Sequence, residues 1–476
     1  MKDIKFYIAI VLLLGGLTFV SCNEDDDKGY GDKVAIANLE LKNFLIKEGY
    51  TFTSDGLLVR DYKVKNTQSF NLSGVKVKDL SELKFFPNLR EVNLSKNELG
   101  PVFDFSLLPE KIKSVDLTGN EIYAYKGLVN VSIEENGEEI VTILRSLQKL
   151  VLPQAAKYNM DEILPYYRQN QKVIKEGRLE LKMENKNKVV EDYTTLREIP
   201  DELFRGYLKK QFPNLFKGDL LDIDKRLSLS EETVAISIYP FIYDPDTDPV
   251  DITKIKDASG VEYFINNLQY KGAIELKLNK DQECSLGYLK VGPHVKILNL
   301  YYINTPLMDL SVAERLSCVE LMHNKDINKL NLSDSKTFLS RTANDMSVSN
   351  RAVLHLVDCP QLKEVKLPTI DSPKAVTSIH LINLPLLKSF DLYKHFNSLW
   401  ELHLASLPSC ELTYPTITAW FSDWHQDEKE GKLEFSIDEN VYSKSATKEF
   451  IKKYLPLKRL ISWSSLNDAK PYNYTK

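Results

Sequence analysis

Apolar residues recur along this chain in pairs one residue apart, and the pairs themselves return about every two dozen residues. The clearest copy is Leu89-x-x-Val92-x-Leu94-x-x-Asn97-x-Leu99, and Ile112-x-x-Val115-x-Leu117-x-x-Asn120-x-Ile122 repeats its frame 23 residues later. Phe70-x-Leu72 is a weaker copy upstream, and Leu147-x-x-Leu150-x-Leu152 follows an insertion around Ile133 to Glu139. In the second half the cores read Val234-x-Ile236-x-Ile238, Ile274-x-Leu276-x-Leu278, Leu298-x-Leu300, Val319-x-Leu321, Leu354-x-Leu356, Ile379-x-Leu381 and Leu402-x-Leu404. An apolar-polar-apolar unit is a short strand that buries one face and turns the residue between to the other. One such unit cannot bury its face alone. Repetition at this period therefore predicts stacked coils with a continuous core behind a curved parallel sheet.

Other periods mark the ends and joints. Asn38 to Leu45 and Ile199-Pro-Asp-Glu-Leu-Phe204 read as capped amphipathic helices, the second starting at Pro200 or Asp201. Met160 to Glu176 has helical spacing through Ile163, Leu164, Tyr167 and Val173, and polar Lys182 to Glu191 reads as a boundary or exposed hairpin. Ser237 to Asp251, with three prolines, and Ser340 to Asn350 read as insertions. Beyond Leu404, Trp420 to Glu428 is expected as a helix, Leu433-x-Phe435-x-Ile437 as a strand, Thr447 to Tyr454 as a helix and Lys458 to Trp463 as a last strand.

These repeats closely resemble the leucine-rich-repeat family, and the helix near Phe204 resembles the one that opens internalin-like bacterial members. The family's Asn-or-Cys position is filled by Asn97, Asn120, Asn279, Asn324 and Cys359, whereas Ile303, Leu384 and Leu407 break the rule and predict different turns. The resemblance implies an α/β fold: a leucine-rich-repeat solenoid, a curved parallel sheet with helical caps, in two repeat arrays. It also implies adhesion or contact with a host protein or glycan as the typical role. A stretch that resembles the family's calcium loop, Asp222-x-Asp224-Lys225 to Glu231, has Leu220 at its first position and Lys225 in place of Gly, so it reads as a metal-free remnant.

The start of the chain changes the setting. Lys2 and Lys5 precede an apolar run from Phe6 to Val20, then Ser21 and Cys22, a secretory leader too short for a membrane span. The Cys after the cut resembles the lipobox of bacterial lipoproteins, with Phe19 in place of the usual Leu. The acidic run Asn23-Glu-Asp-Asp-Asp27 resembles the signal for the outer face of a Gram-negative outer membrane. Lipidation at Cys22, an anchor in that membrane and display at the cell surface are expected. The segments are then a signal peptide (1–21), an acidic tether (22–36), a first array with its cap (37–152), a helical linker (153–196), a second array with its cap helix (197–412) and C-terminal α/β repeats or a cap (413–476). The net charge of −5 argues against a nucleic-acid partner. The four cysteines after Cys22 carry neither zinc-finger spacing nor the density of a disulfide scaffold.

No catalytic motif is present, and the chain reads as a binding protein without an assigned cofactor or metal. The residue between each pair of strand leucines faces away from the core, and in the second array this column runs Ser237, Glu275, Asn299, Glu320, His355, His380, His403. Tyr239, Tyr301, Met322 and Ile382 lie two residues further on, and Ser378 and Glu401 flank the other side. Glu320, His355, His380, His403, Tyr301 and Glu401 are the candidate ligand-contact residues, on an inner, concave face open to solvent. Adjacent strands are about 4.8 Å apart, so neighbouring imidazoles are close enough to share a ligand or a metal. Two other readings follow from the same residues: a metal-dependent hydrolase using the His column, and an accessory lipoprotein of an outer-membrane uptake complex.

Overall fold

A computed structural model of the chain describes residues 32–133, 139–227, 235–238, 251–333, 335, 352–368, 376–392, 398–417, 420 and 433–461. The leader, Cys22, most of the acidic tether, Tyr239, the 340–350 insertion and the 421–428 helix expectation lie outside these residues. No helix of the described residues is long and apolar enough to cross a membrane.

The period-two apolar pairs form strands, and the strands assemble into two mainly parallel sheets. In the first, β1 (Ser69–Asn71), β2 (Glu91–Asn93), β3 (Ser114–Asp116), β4 (Lys149–Leu152) and β5 (Glu180–Glu184) run parallel in chain order, and β6 (Val190–Asp192) closes the edge antiparallel to β5. The second is a nine-stranded sheet in chain order: β7 (Ile236–Ile238), β8 (Ala273–Lys277), β9 (Ile297–Tyr301), β10 (Cys318–Met322), β11 (Ala352–Val357), β12 (Val376–Ile382), β13 (Ser398–Ala405), β14 (Leu433–Ile437) and β15 (Leu460–Ile461). Every pairing in it is parallel. Leu94, Leu117, Leu276, Leu300, Leu321, Leu356, Leu381 and Leu404 are all fully buried, so the apolar face of each strand is the one the alternation predicts.

The segment boundaries need one correction. Residues 153–196 are more than a helical linker, because β5 continues the first sheet, pairing Lys149 with Glu180 and Leu152 with Met183. Charged residues around Leu181 hide this strand in the sequence, since only Leu181 and Glu184 of its five residues are buried. The C-terminal segment is part of the second sheet through β14 and β15, and the helix Ser445–Tyr454 packs Phe450, Ile451 and Tyr454 onto the same core.

The turns after the strands also differ from expectation. Ile303, Leu384 and Leu407 take the place of the buried Asn, yet their turns keep the same backbone. Tyr302, His323, Asp358, Asn383 and Ser406 all have φ between 53° and 60°, and the next residue, Ile303, Asn324, Cys359, Leu384 or Leu407, is fully buried in each case. The left-handed residue reverses the chain out of the sheet, and Asn, Asp and His tolerate it better than most. Burial is the constant requirement at the next position, and a polar side chain there is an addition to it.

Three helices cap and join the coils. Helix α1 (Leu39–Lys47) is capped by Asn38, whose Oδ1 accepts from Leu41 N at 2.9 Å. Helix α3 (Glu202–Gln211) is capped by Asp201, whose Oδ1 accepts from Phe204 N at 2.9 Å, which settles the start between Pro200 and Asp201. Helix α2 (Ile163–Lys175) lies between them in the chain and joins the two cores. Its Ile163 and Tyr166 pack with the first sheet and its Leu164 with the second. The stretch that resembles a calcium loop begins as a strand, Leu220–Asp222, and Asp224 Oδ1 receives Arg168 Nε of α2 at 2.6 Å. That carboxylate serves the joint between the lobes.

Candidate functional site

The parallel register builds the site. Ser237 stands opposite Glu275, Glu275 opposite Asn299, Asn299 opposite Glu320, Glu320 opposite His355, His355 opposite His380, and His380 opposite His403. The column is therefore continuous from β7 to β13, and Ser436 of β14 extends it. Tyr301 and Met322 are also opposite each other, as are Ser378 and Glu401. Glu401 holds that place in the regular register, and a bulge lies just before it. The register shifts between Thr377 and Ser378, so Leu399 and Glu401 pair with consecutive residues and Trp400 is the extra one.

The three imidazoles form a stack. The rings of His355 and His380 are 3.6 Å apart and 4° from parallel, and those of His380 and His403 are 4.2 Å apart and 14° from parallel. Stacking corrects one expectation, because the column is enclosed and not open to solvent. Side-chain exposure is 13% for His355 and His380 and 5% for His403. His380 loses both ring faces to its neighbours, and His355 and His403 lose one face each to it, a consequence of one His per strand on three successive strands.

A polar network runs along the stack. Tyr301 donates its hydroxyl to Glu320 Oε2 at 2.6 Å, and Lys277 Nζ stands 3.2 Å from the same oxygen. Glu320 Oε1 is 3.4 Å from His355 Nδ1. His355 Nε2 is 2.8 Å from Ser378 Oγ, which donates to Glu401 Oε2 at 2.6 Å. Glu401 Oε1 faces His380 Nε2 at 3.1 Å and His403 Nε2 at 3.5 Å. All six residues singled out in the sequence are thus brought together, and Lys277 and Ser378 join them. Lys277 carried no signal beyond its place two residues after Glu275.

Charge follows burial. Burial pushes both His380 and His403 below the ordinary imidazole range, and His403 falls to about 3, with His380 beside it adding to the effect. Burial also works against the two carboxylates, but their partners outweigh it. His355, Tyr301 and Lys277 hold Glu320 at about 2, and the approach of His380 and Ser378 holds Glu401 at about 2. The inner end of the strip thus combines an ionised carboxylate with neutral imidazoles at neutral pH.

The pH dependence follows. A folded-state pKa below its unfolded value gives stability that is complete above the unfolded value and lost as pH falls through the folded one. In chelator-treated protein the two histidines should weaken the second lobe from about pH 6.5 downward. The carboxylate contribution is lost separately, below about pH 4.3. Urea midpoints at several pH values should show both steps, and His403→Gln should flatten the upper one. An unchanged upper step would place the His403 ring in water.

Glu320, His355 and Ser378 stand in the order of a hydrolase triad, but the protons do not serve one. Ser378 has a single hydroxyl proton, and the carboxylate of Glu401 takes it, which leaves His355 Nε2 to donate to Ser378 Oγ. Ser378 is also only 1% exposed. In this arrangement it is a relay between His355 and Glu401, and its proton faces a weakly basic carboxylate and not the imidazole.

A second concavity lies between the lobes, about 410 Å³ in volume and lined in part by Glu139, Asp161, Glu162, Arg168 and Lys290. These five side chains are engaged, Glu139 with Arg168 among them. Arg168 holds Asp224, Lys290 holds Asp161, and Glu162 accepts from the backbone of Leu128 and Val129 at 2.8 and 3.0 Å. This is a structural joint. No protein-family model, curated protein or solved structure matches the chain.

Proposed function

We propose that the chain is a leucine-rich-repeat lipoprotein, anchored through lipid on Cys22 in the outer membrane and displayed at the cell surface, where it binds a protein or glycan. The observation that carries the binding half is the unbroken in-register strip from Ser237 to His403, opposite the leucine core. A face built by repetition can follow an extended ligand along its length, and the partly exposed Lys277, Tyr301 and Met322 supply its charged, aromatic and apolar margin. Repeat folds host many ligands, so the site carries the argument and the fold does not. The relay role of Ser378 disfavours a serine-hydrolase triad and does not bear on the metal-dependent hydrolase reading.

Two measurements test the proposal. Protease added to intact cells should degrade the protein, and Cys22→Ala should release or mislocalise it. Survival in intact cells with digestion only after lysis would overturn surface display. An array of glycans and extracellular-matrix proteins should yield a ligand whose binding Tyr301→Ala weakens at least about tenfold, as expected for an aromatic contact at an interface. Binding indifferent to Tyr301→Ala would move the ligand off this face.

A further inference from the structure

We propose that Glu401, His380 and His403 form a site for one divalent transition-metal ion, with zinc the expected occupant, on the polar face of the nine-stranded sheet. The inference goes beyond recognition of a macromolecule and stands without it.

Spacing is the first argument. Nε2 of His380 and Nε2 of His403 lie 3.1 and 3.5 Å from one oxygen, Oε1 of Glu401. Donors bound to a tetrahedral zinc at about 2.0–2.1 Å are about 3.3 Å from each other. Each imidazole nitrogen thus already stands at a corner-to-corner separation from the shared carboxylate oxygen, and Glu401 links two donor groups, one with His380 and the other with His403 and Glu434.

Orphaned nitrogens are the second argument. Among the described residues, both ring nitrogens of His403 and Nε2 of His380 are shut from water without a hydrogen-bond partner, and His403 is only 4% exposed as a residue. Buried polar atoms without partners are rare and costly. The approach of His380 Nε2 to Glu401 Oε1 is short, yet it lacks hydrogen-bond alignment. Two lone-pair donors arranged around a shared cation have this relation.

The surroundings fit the same ion. Two imidazoles and a carboxylate suit zinc and its first-row neighbours, whereas calcium requires a set of oxygens. Glu434 stands opposite Glu401 on β14, and its carboxylate falls in one donor group with Glu401 and His403, so it is placed to be the fourth ligand. His355 falls in a neighbouring group with His380 and Glu401, but Glu320 and Ser378 occupy its nitrogens. It is a positioning residue that stacks on His380. Ser378 is another, since its bond to Oε2 of Glu401 leaves Oε1 facing the imidazoles. The His380 and His403 rings are nearly parallel, so coordination requires them to fan apart about χ2, a soft torsion in His.

Zinc titrated into the purified full chain, first stripped with EDTA, should bind with one ion per chain by calorimetry. Cobalt in its place should give the visible absorption of a tetrahedral site. His380→Gln and His403→Gln should each lower zinc affinity at least about 100-fold, and Ser378→Ala about 10–100-fold. His323→Gln, at a residue paired with Asp358 outside the site, should leave it unchanged. Circular dichroism establishes that each variant is folded. No zinc heat from folded wild-type protein, or wild-type affinity in both His variants, overturns the proposal. Zinc binding without any array ligand upholds it and counts against the macromolecular reading alone.

Discussion

Asn120→Ala should cost the first lobe about 4 kcal/mol, because four buried backbone groups lose their partner at once and each unsatisfied group costs about 1–3 kcal/mol, partly relieved by relaxation. The side chain lies across the turn between coils. Its Oδ1 accepts from Asn97 N at 2.9 Å and Leu99 N at 3.0 Å, and its Nδ2 donates to Leu94 O at 3.0 Å and Leu117 O at 2.8 Å. Asn97 repeats the pattern one coil earlier, accepting from Val77 N at 3.0 Å and donating to Leu72 O at 2.9 Å. The two side chains thus tie three turns into one ladder. Domains are stable by about 5–15 kcal/mol, so this loss is a large share of the total. Far-UV circular dichroism during urea unfolding should show an early transition in the variant. A wild-type midpoint would mean that water replaces the amide at no cost.

Leu321→Ala should destabilise the second lobe by about 2–5 kcal/mol, the usual range for a buried Leu reduced to a methyl group. Leu321 is fully buried in the middle of the nine-stranded sheet, between Leu300 and Leu356, so strands on both sides resist collapse into the cavity. The four tryptophans, at 400, 420, 424 and 463, all lie in the second half of the chain. Tryptophan fluorescence should therefore register Leu321→Ala strongly and Asn120→Ala weakly. Equal shifts in both variants would mean that α2 couples the two cores into one cooperative unit. A shift below about 1 kcal/mol for Leu321→Ala would contradict its place in a rigid core.

The alternation of apolar and polar residues was enough to assign faces. A strand has period two, so once Leu354 and Leu356 point to the core, His355 points away, and the same holds for His380 and His403. The column, its order and its neighbours Tyr301 and Glu401 were therefore legible from spacing alone, as were the caps at Asn38 and Asp201. The strand Glu180–Glu184 was not, because its charged residues carry little of the burial signal on which the reading depends.

What sequence periodicity determined for this chain is local: which residues form strands, which face each takes, and which positions share a rung. Tertiary structure decided what those positions do to one another. The same left-handed turn accepts Ile303, Asn324, Cys359, Leu384 or Leu407, since burial beneath the next coil is the common demand. Contact between Ser378 and Glu401 settles where the Ser378 hydroxyl points and which oxygen of Glu401 faces the imidazoles. Enclosure of the His stack likewise arises only when three strands lie side by side, because a ring's exposure depends on neighbours about two dozen residues away in the chain.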